Sequence, residues 1–205
     1  MKYKIHFLRI LKKEYPVSYK TLLHDTDRTY ALISGDTKFA AFSNNPLDKR
    51  LDFSAYFLSL ILVLEKQKEP YERIKAVSLA IAEEYVRPKN TFQRWLKKLP
   101  VKLIGTPLAR PLLKTLHARI STKDYPDGFV ANIITDKKET YGLGYGVDIL
   151  ECGICKLFKR HHAGKYASIL CEVDKITTSL AGLVMIRNGT IAGGAAKCDF
   201  RYKIK

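Results

Sequence analysis

Acidic residues are absent from one long stretch of this chain. Between Arg87 and Lys123 lie ten Lys and Arg and no Asp or Glu, in a 205-residue sequence that holds 36 basic and 20 acidic residues for a net charge of +16. A field of that size draws nucleic acid, an anionic membrane surface or an acidic partner, or simply keeps the protein in solution. Cysteine is scarce too. The four present, Cys152, Cys155, Cys171 and Cys198, are too few for a disulfide framework, and in a reducing compartment they serve as thiols, metal ligands or nucleophiles. Long apolar runs are missing, since the most continuous, 55–64, is ten residues where a membrane span needs about 20. It reads as a buried helix. The start, Met1 to Arg9, threads charges through its apolar residues and offers no small-residue cleavage site, so no secretory signal is legible and a cytoplasmic protein is expected. Internal repeats and low-complexity segments are absent. With 46% hydrophobic and 27% charged residues, a chain of this length buries roughly 70% of its unfolded surface and needs no metal or disulfide for a core.

Up to about residue 120 the pattern is helical. In 19–34, Leu22, Leu23, Thr26, Tyr30 and Ile33 recur at steps of three and four, the spacing of one helix face, and Gly35 supplies a stop. Asp52 is expected to cap a helix over 53–66. Pro70 suits the first turn of the next, 71–86, with Ile74, Val77, Ile81 and Tyr85 as its apolar stripe. Pro88, Pro100, Pro107 and Pro111 are expected to break the basic region into short helices joined near Gly105.

From Tyr125 the period falls to two. The alternation over 129–135, the polar turn 136–139 and the run 142–150 predict two antiparallel strands. Helices follow at 152–161 and 166–180, then strands at 183–187 and 198–203 around a turn-rich 189–196. The expected fold is α+β: one domain over 1–205, in which an N-terminal helical lobe (1–120) packs on a C-terminal antiparallel sheet with covering helices (125–205).

Three groups of residues carry chemical potential. Cys152 and Cys155 form a C-x-x-C pair, readable as a zinc half-site, a redox pair or small buried hydrophobes. The distance to the other two cysteines departs from the paired spacing of structural zinc sites, and a redox motif expects a βαβ frame that is missing here, so no metal site is assigned. Cys171 and Asp174, three apart on a helix, share a face and suit a nucleophile beside a carboxylate. Arg187 stands at the shoulder of a glycine-permitted turn containing Thr190 and Gly194, which leads into Cys198 and Asp199; amides in such a turn can face an anion.

Together, Cys152-Gly153-Ile154, Cys171-Glu172-Val173-Asp174 and the segment from Arg187 to Tyr202 with Thr190-Ile191-Ala192, Gly194 and Cys198-Asp199-Phe200 resemble the L-2-amino-thiazoline-4-carboxylate hydrolase family over about residues 145–203. The resemblance implies a hydrolase that opens a small amidine-like heterocycle to a carbamoyl amino acid on the way to L-cysteine, without an organic cofactor. It also implies catalytic roles for Cys171 or Cys198 with Asp174 or Asp199, and substrate binding by Arg187, Thr190, Gly194 and Cys152. In that family an acidic residue often flanks the glycine before Cys-Asp, whereas Gly194 here sits between Gly193 and Ala195. That departure sets a second expectation beside the first: a ligand-binding or sensor domain with the same pocket and no turnover. The stretch from Arg87 to Lys123 supports a third, a nucleic-acid or anionic-membrane binder using Phe92 and Trp95.

Overall fold

The apolar run forms the centre of helix α3 (Leu51–Lys66), in which Tyr56, Phe57, Leu58, Leu60, Ile61 and Leu64 are all buried. A computed structural model describes residues 3–104, 106–107 and 109–205. Helices α1 (Lys4–Glu14), α2 (Tyr19–Ile33) and α4 (Tyr71–Val86) surround α3. They present Phe7 and Leu11, Leu22 and Ile33, and Ile74, Val77 and Ile81 to it. Aromatic edges knit the layer, with the Phe7 and Tyr56 rings 4.8 Å apart at 84°, a geometry that adds about 1 kcal/mol beyond area burial.

Asp52 is not the cap of α3. The helix begins at Leu51 behind a 3-10 turn, Asp48–Arg50, so Asp52 already lies in the first turn. Its carboxylate accepts hydrogen bonds from the hydroxyls of Tyr3 (2.8 Å) and Tyr30 instead. Burial, then Asp52, pushes the Tyr30 phenol up to about 12, so both tyrosines remain donors. Gly35 is not the stop: α2 ends at Ile33, and Gly35 lies inside the 3-10 run, Ser34–Ala41, that continues the helical course. Pro100 does not break the basic region either, because α5 (Thr91–Ile104) carries it inside. Helix α6 (Ala109–Ile120) accepts Pro111 in its first turn, where the ring costs no hydrogen bond. The turn expected at Gly105 lies outside the described residues.

Strands β1 (Val130–Ile134), β2 (Gly146–Glu151), β3 (Leu183–Ile186) and β4 (Cys198–Ile204) form one antiparallel sheet in the order β1-β2-β4-β3. β2 starts later than its apolar pattern indicates. The connection from β1 continues through Gly142 and Gly144 at φ +86° and +72°, which extended pairing does not accommodate, and Thr140 Oγ1 accepts the Gly144 N–H at 2.9 Å to hold it. Between β2 and β3 run α7 (Gly153–Arg160) and α8 (Ala167–Leu180).

Register fixes the two faces of the sheet. Ile149 pairs with Cys198 and Val147 with Phe200, while Ala131 and Ile133 pack with Val147, Ile149 and Ile120 of α6. Asp148, Asp199 and Arg201 alternate with these residues and therefore lie on the opposite face. Contacts join the two halves of the chain. Leu157, Phe158, Tyr166 and Ile169 share a core cluster with α1, α3 and α4. The buried Asp48 carboxylate accepts the Ser43 hydroxyl at 2.6 Å and the Phe129 N–H at 2.8 Å. Asn45 Nδ2 donates to the Phe129 carbonyl at 2.9 Å.

Candidate functional site

Three short segments deliver the cysteines to one place. Cys152 ends the β2 hairpin arm as the N-cap of α7, its sulfur accepting the Cys155 N–H at 3.5 Å. Cys171 lies on the face of α8 that covers the sheet. Cys198 opens β4 on the helix side, buried, with its sulfur accepting the Ile191 N–H at 3.2 Å. Cys152, Cys171, Cys198 and Asp174 all lie within electrostatic reach of one another.

The four thiols differ in acidity. Hydrogen bonding from the Cys155 thiol lowers the Cys152 pKa against the opposing effect of burial, helped by the N–H groups of Cys155 and Ile154 in the first turn of α7. Donors of this kind favour the thiolate. Cys155, as the donor, is pushed far in the other direction. Burial, reinforced by Asp174, raises Cys171 to about 12 although Arg187 pulls it back. Burial also raises Cys198. Of the four, Cys152 is the thiol whose pKa is drawn below the ordinary value, while those of Cys171 and Cys198, the positions expected as nucleophiles, lie above it. Among the described residues, no group of three or more His, Cys, Asp or Glu is arranged to hold a metal ion.

Asp174 sits between two guanidinium groups, Arg187 at 3.8 Å and Arg50 at 3.9 Å. Its side chain keeps about a third of its surface open, at 31%, yet its surroundings raise its pKa by desolvation, with Arg50 and Arg187 only partly offsetting that cost. Arg187 is the better anchored cation, 8% exposed. Nη1 and Nη2 both donate to the Cys171 carbonyl at 3.3 Å, and the guanidinium lies 5.2 Å from the centre of the Phe200 ring. It forms part of the wall of a cleft of about 420 Å³ with Lys175, Met185, Thr190 and Gly193. Tyr202, stacked on Tyr145 at 5.7 Å, lies within reach of Asp174 and both arginines.

Three expected site residues, Asp199, Thr190 and Gly194, have structural contacts in the 188–194 turn. Asp199 points to the opposite face from Cys198, where its carboxylate accepts N–H groups of Asn188 and Gly189 at 3.0 and 2.8 Å and the Asn188 side chain at 2.9 Å. These contacts bring its pKa down against desolvation, which fits an anchor of the 188–189 turn and not a group that exchanges protons beside Cys198. Thr190 Oγ1 accepts the Gly193 N–H at 3.0 Å, and Gly194 follows at φ +91°. Both shape the turn that brings Arg187 to the cleft. Arg50 and Tyr145 were not singled out by their sequence context: one is a single cation among 36, the other one of several aromatics near a turn.

A cavity of about 720 Å³ lies elsewhere, between α6 and the β1–β2 connection, with Arg110, Lys114, His117 and Lys137 in its wall. Among the described residues, neither its wall nor that of the cleft at Arg187 contains a thiol or a carboxylate.

The architecture is that of an α+β protein whose helices carry acid–base and thiol groups onto one face of an antiparallel sheet. The model of the L-2-amino-thiazoline-4-carboxylic acid hydrolase family matches residues 64–202, and the chain belongs to that family. The match extends well before the motif-bearing segment, taking in α4, α5 and α6, and leaves Arg50 outside. No curated protein and no solved structure matches the chain. Among the described residues, no helix is long and apolar enough to cross a membrane.

Proposed function

We propose that the protein hydrolyses a small cyclic amidine carboxylate of the 2-aminothiazoline class, with Cys152 as nucleophile, Asp174 at the amidine and Arg187 at the carboxylate. The observation that carries this reading is the place of Cys152 at the N-cap of α7, where its sulfur accepts the Cys155 N–H, within electrostatic reach of an Asp174 flanked by two guanidinium groups. The Cys152 thiolate adds to C2 of the ring, forming a C–S bond as the C=N π pair passes to the ring nitrogen, which takes a proton; return of a nitrogen lone pair then breaks the ring C2–S bond. The departing ring sulfur takes a proton, for which Asp174 is suited by its raised pKa. Water adds to the C2 carbon now carried on Cys152, the Cys152–C2 bond breaks, and the thiolate is regenerated. One water is consumed, and the product is a carbamoyl amino acid with a free thiol. Arg187 keeps N–H groups beyond the two given to Cys171, and a guanidinium can hold a carboxylate through parallel hydrogen bonds.

Gly193 and Ala195 around Gly194 favour a second reading, in which the same cleft binds such a carboxylate without turnover. One experiment separates the two. Purified protein is incubated with 2-aminothiazoline-4-carboxylate, and free thiol and carbamoyl product are measured beside thermal stabilisation by the same compound. Hydrolysis abolished by Cys152→Ser supports the enzyme, stabilisation without product supports the binding domain, and neither effect overturns both.

A further inference from the structure

Helix α5 presents its apolar stripe to solvent. Phe92, Trp95, Leu96, Leu99 and Leu103 follow the three- and four-residue spacing of one face, a pattern that ordinarily turns inward. Here no residue of the helix is buried. Phe92 is 67% exposed, Trp95 and Leu96 are 49% each and Leu103 is 40%, with the Phe92 and Trp95 rings stacked at 6.1 Å. Arg94, Lys97, Lys98 and Lys102 lie outside that stripe, and the helix has no acidic residue. None of these four cations is in an ion pair among the described residues.

We infer that α5 docks the protein onto an anionic lipid surface, lying in the interface with Phe92, Trp95, Leu96 and Leu103 among the acyl chains and its cations on the headgroups. Charge complementarity selects this occupant. A second copy of a chain carrying +16 repels the first at the same face. The aliphatic Leu96 and Leu103 of the stripe offer a nucleic-acid backbone nothing to pair with, whereas a bilayer interface buries aliphatic and aromatic groups together. The inference is independent of the chemistry proposed at Cys152.

Trp95 is the single tryptophan of the chain, so its fluorescence reports on this helix alone. The full-length protein is mixed with phosphatidylcholine vesicles, with and without phosphatidylglycerol, at about 0.1 M salt, where charges act over roughly 10 Å, and at about 1 M, where the range is roughly 3 Å. Co-sedimentation with the anionic vesicles only, a shift of Trp95 emission to shorter wavelength and weakening in high salt are expected. Lys98→Gln with Lys102→Gln is expected to lower partitioning about 25-fold, at roughly fivefold per cation near an anionic surface. Leu96→Gln with Leu103→Gln, which retains every charge, is expected to lower it by at least about tenfold. These four positions are exposed or nearly so, and circular dichroism checks that the variants fold. No binding to anionic vesicles, binding without a Trp95 shift, or binding unaffected by Leu96→Gln and Leu103→Gln overturns the inference. So does a Trp95 response to single-stranded DNA or to an acidic polypeptide in the absence of any response to lipid.

Discussion

Replacing Arg187 by Lys separates what this residue does for the fold from what it does for a ligand. The side chain is 8% exposed, so its charge has already lost most of its water, and the protein supplies the compensation. Two guanidinium N–H groups reach the Cys171 carbonyl at 3.3 Å, Asp174 stands 3.8 Å away, and the Phe200 ring lies 5.2 Å from the guanidinium carbon. Lysine keeps the charge and part of the ring contact but cannot span carbonyl and carboxylate together. Hydrogen bonds from charged donors contribute about 1.5–3 kcal/mol; because the two here are long and share one acceptor, they count as about one. The expected loss is therefore about 2 kcal/mol, or roughly 4–8 °C in Tm for a chain of this size. Urea unfolding without ligand measures that loss. Calorimetric titration with 2-aminothiazoline-4-carboxylate measures the second effect, an affinity about tenfold weaker, equivalent to about 1.4 kcal/mol for the missing parallel hydrogen bond. A stability loss with unchanged affinity would make Arg187 a structural ion-pair member alone. Stability within about 0.5 kcal/mol together with unchanged affinity would refute the account of this residue altogether.

Other consequences are open to direct measurement. Iodoacetamide should modify Cys152 first as pH rises toward the ordinary thiol range, and Cys155→Ala should slow that modification by removing the donor that stabilises the thiolate; mass spectrometry of the modified peptides decides. Desolvation of Asp148 is outweighed by its hydrogen bonds from Arg201 and Lys197, so its folded pKa lies below the ordinary value. A carboxyl depressed in this way stabilises the fold above the unfolded value of about 4 and stops doing so as pH falls through the folded one. Asp148→Asn should therefore cost about 3 kcal/mol at pH 7, because it strands the 12% exposed Arg201, and the deficit should close as unfolding is followed to lower pH. At Gly189 a Cβ would stand 2.8 Å from that of Ala195, so Gly189→Val should displace the turn and cost about 1–3 kcal/mol. Because the core cluster and the Asp48–Phe129 bonds join the two halves, cleavage near Asp124 should yield no two separately stable pieces on a native gel.

Local patterning determined the elements more than their limits. The helix over 19–33, the strand–strand–helix–helix–strand–strand order and the buried run in α3 all follow from periodicity, since each depends on which face meets the core. The departures have tertiary causes. Asp52 has the chemistry of a cap, but two tyrosines from α1 and α2 claim its carboxylate, and no local rule sees partners 49 and 22 residues away. Pro100 removes one helix hydrogen bond in a surface helix, a cost that did not end it. Nor does the pattern in α5 reveal that its apolar face points outward, because amphipathic spacing is the same whichever side the protein lies on.

For the cysteines, residue type and motif drew attention to Cys152, Cys171 and Cys198, which the fold brings within electrostatic reach of one another, while the differences in their acidity come from position. Four thiols look alike in a sequence. In the fold, Cys171 and Cys198 sit where burial penalises the thiolate, whereas Cys152 occupies the N-cap of α7, with N–H groups converging on its sulfur. The alternation of β4 divides Cys198 from Asp199 in the same way: one neighbour faces the helices and the other holds the turn. A pair adjacent in sequence on a strand cannot serve one pocket, whereas Cys171 and Asp174, three apart on a helix, do share a face. Arg50 completes the carboxylate's surroundings from the 3-10 turn before α3, far upstream of α8 in the chain, so only tertiary packing brings the two together. The surroundings of Asp174 therefore include the helical half of the chain as well as the segment that bears the motifs, and a change at Arg50 should be felt at Asp174.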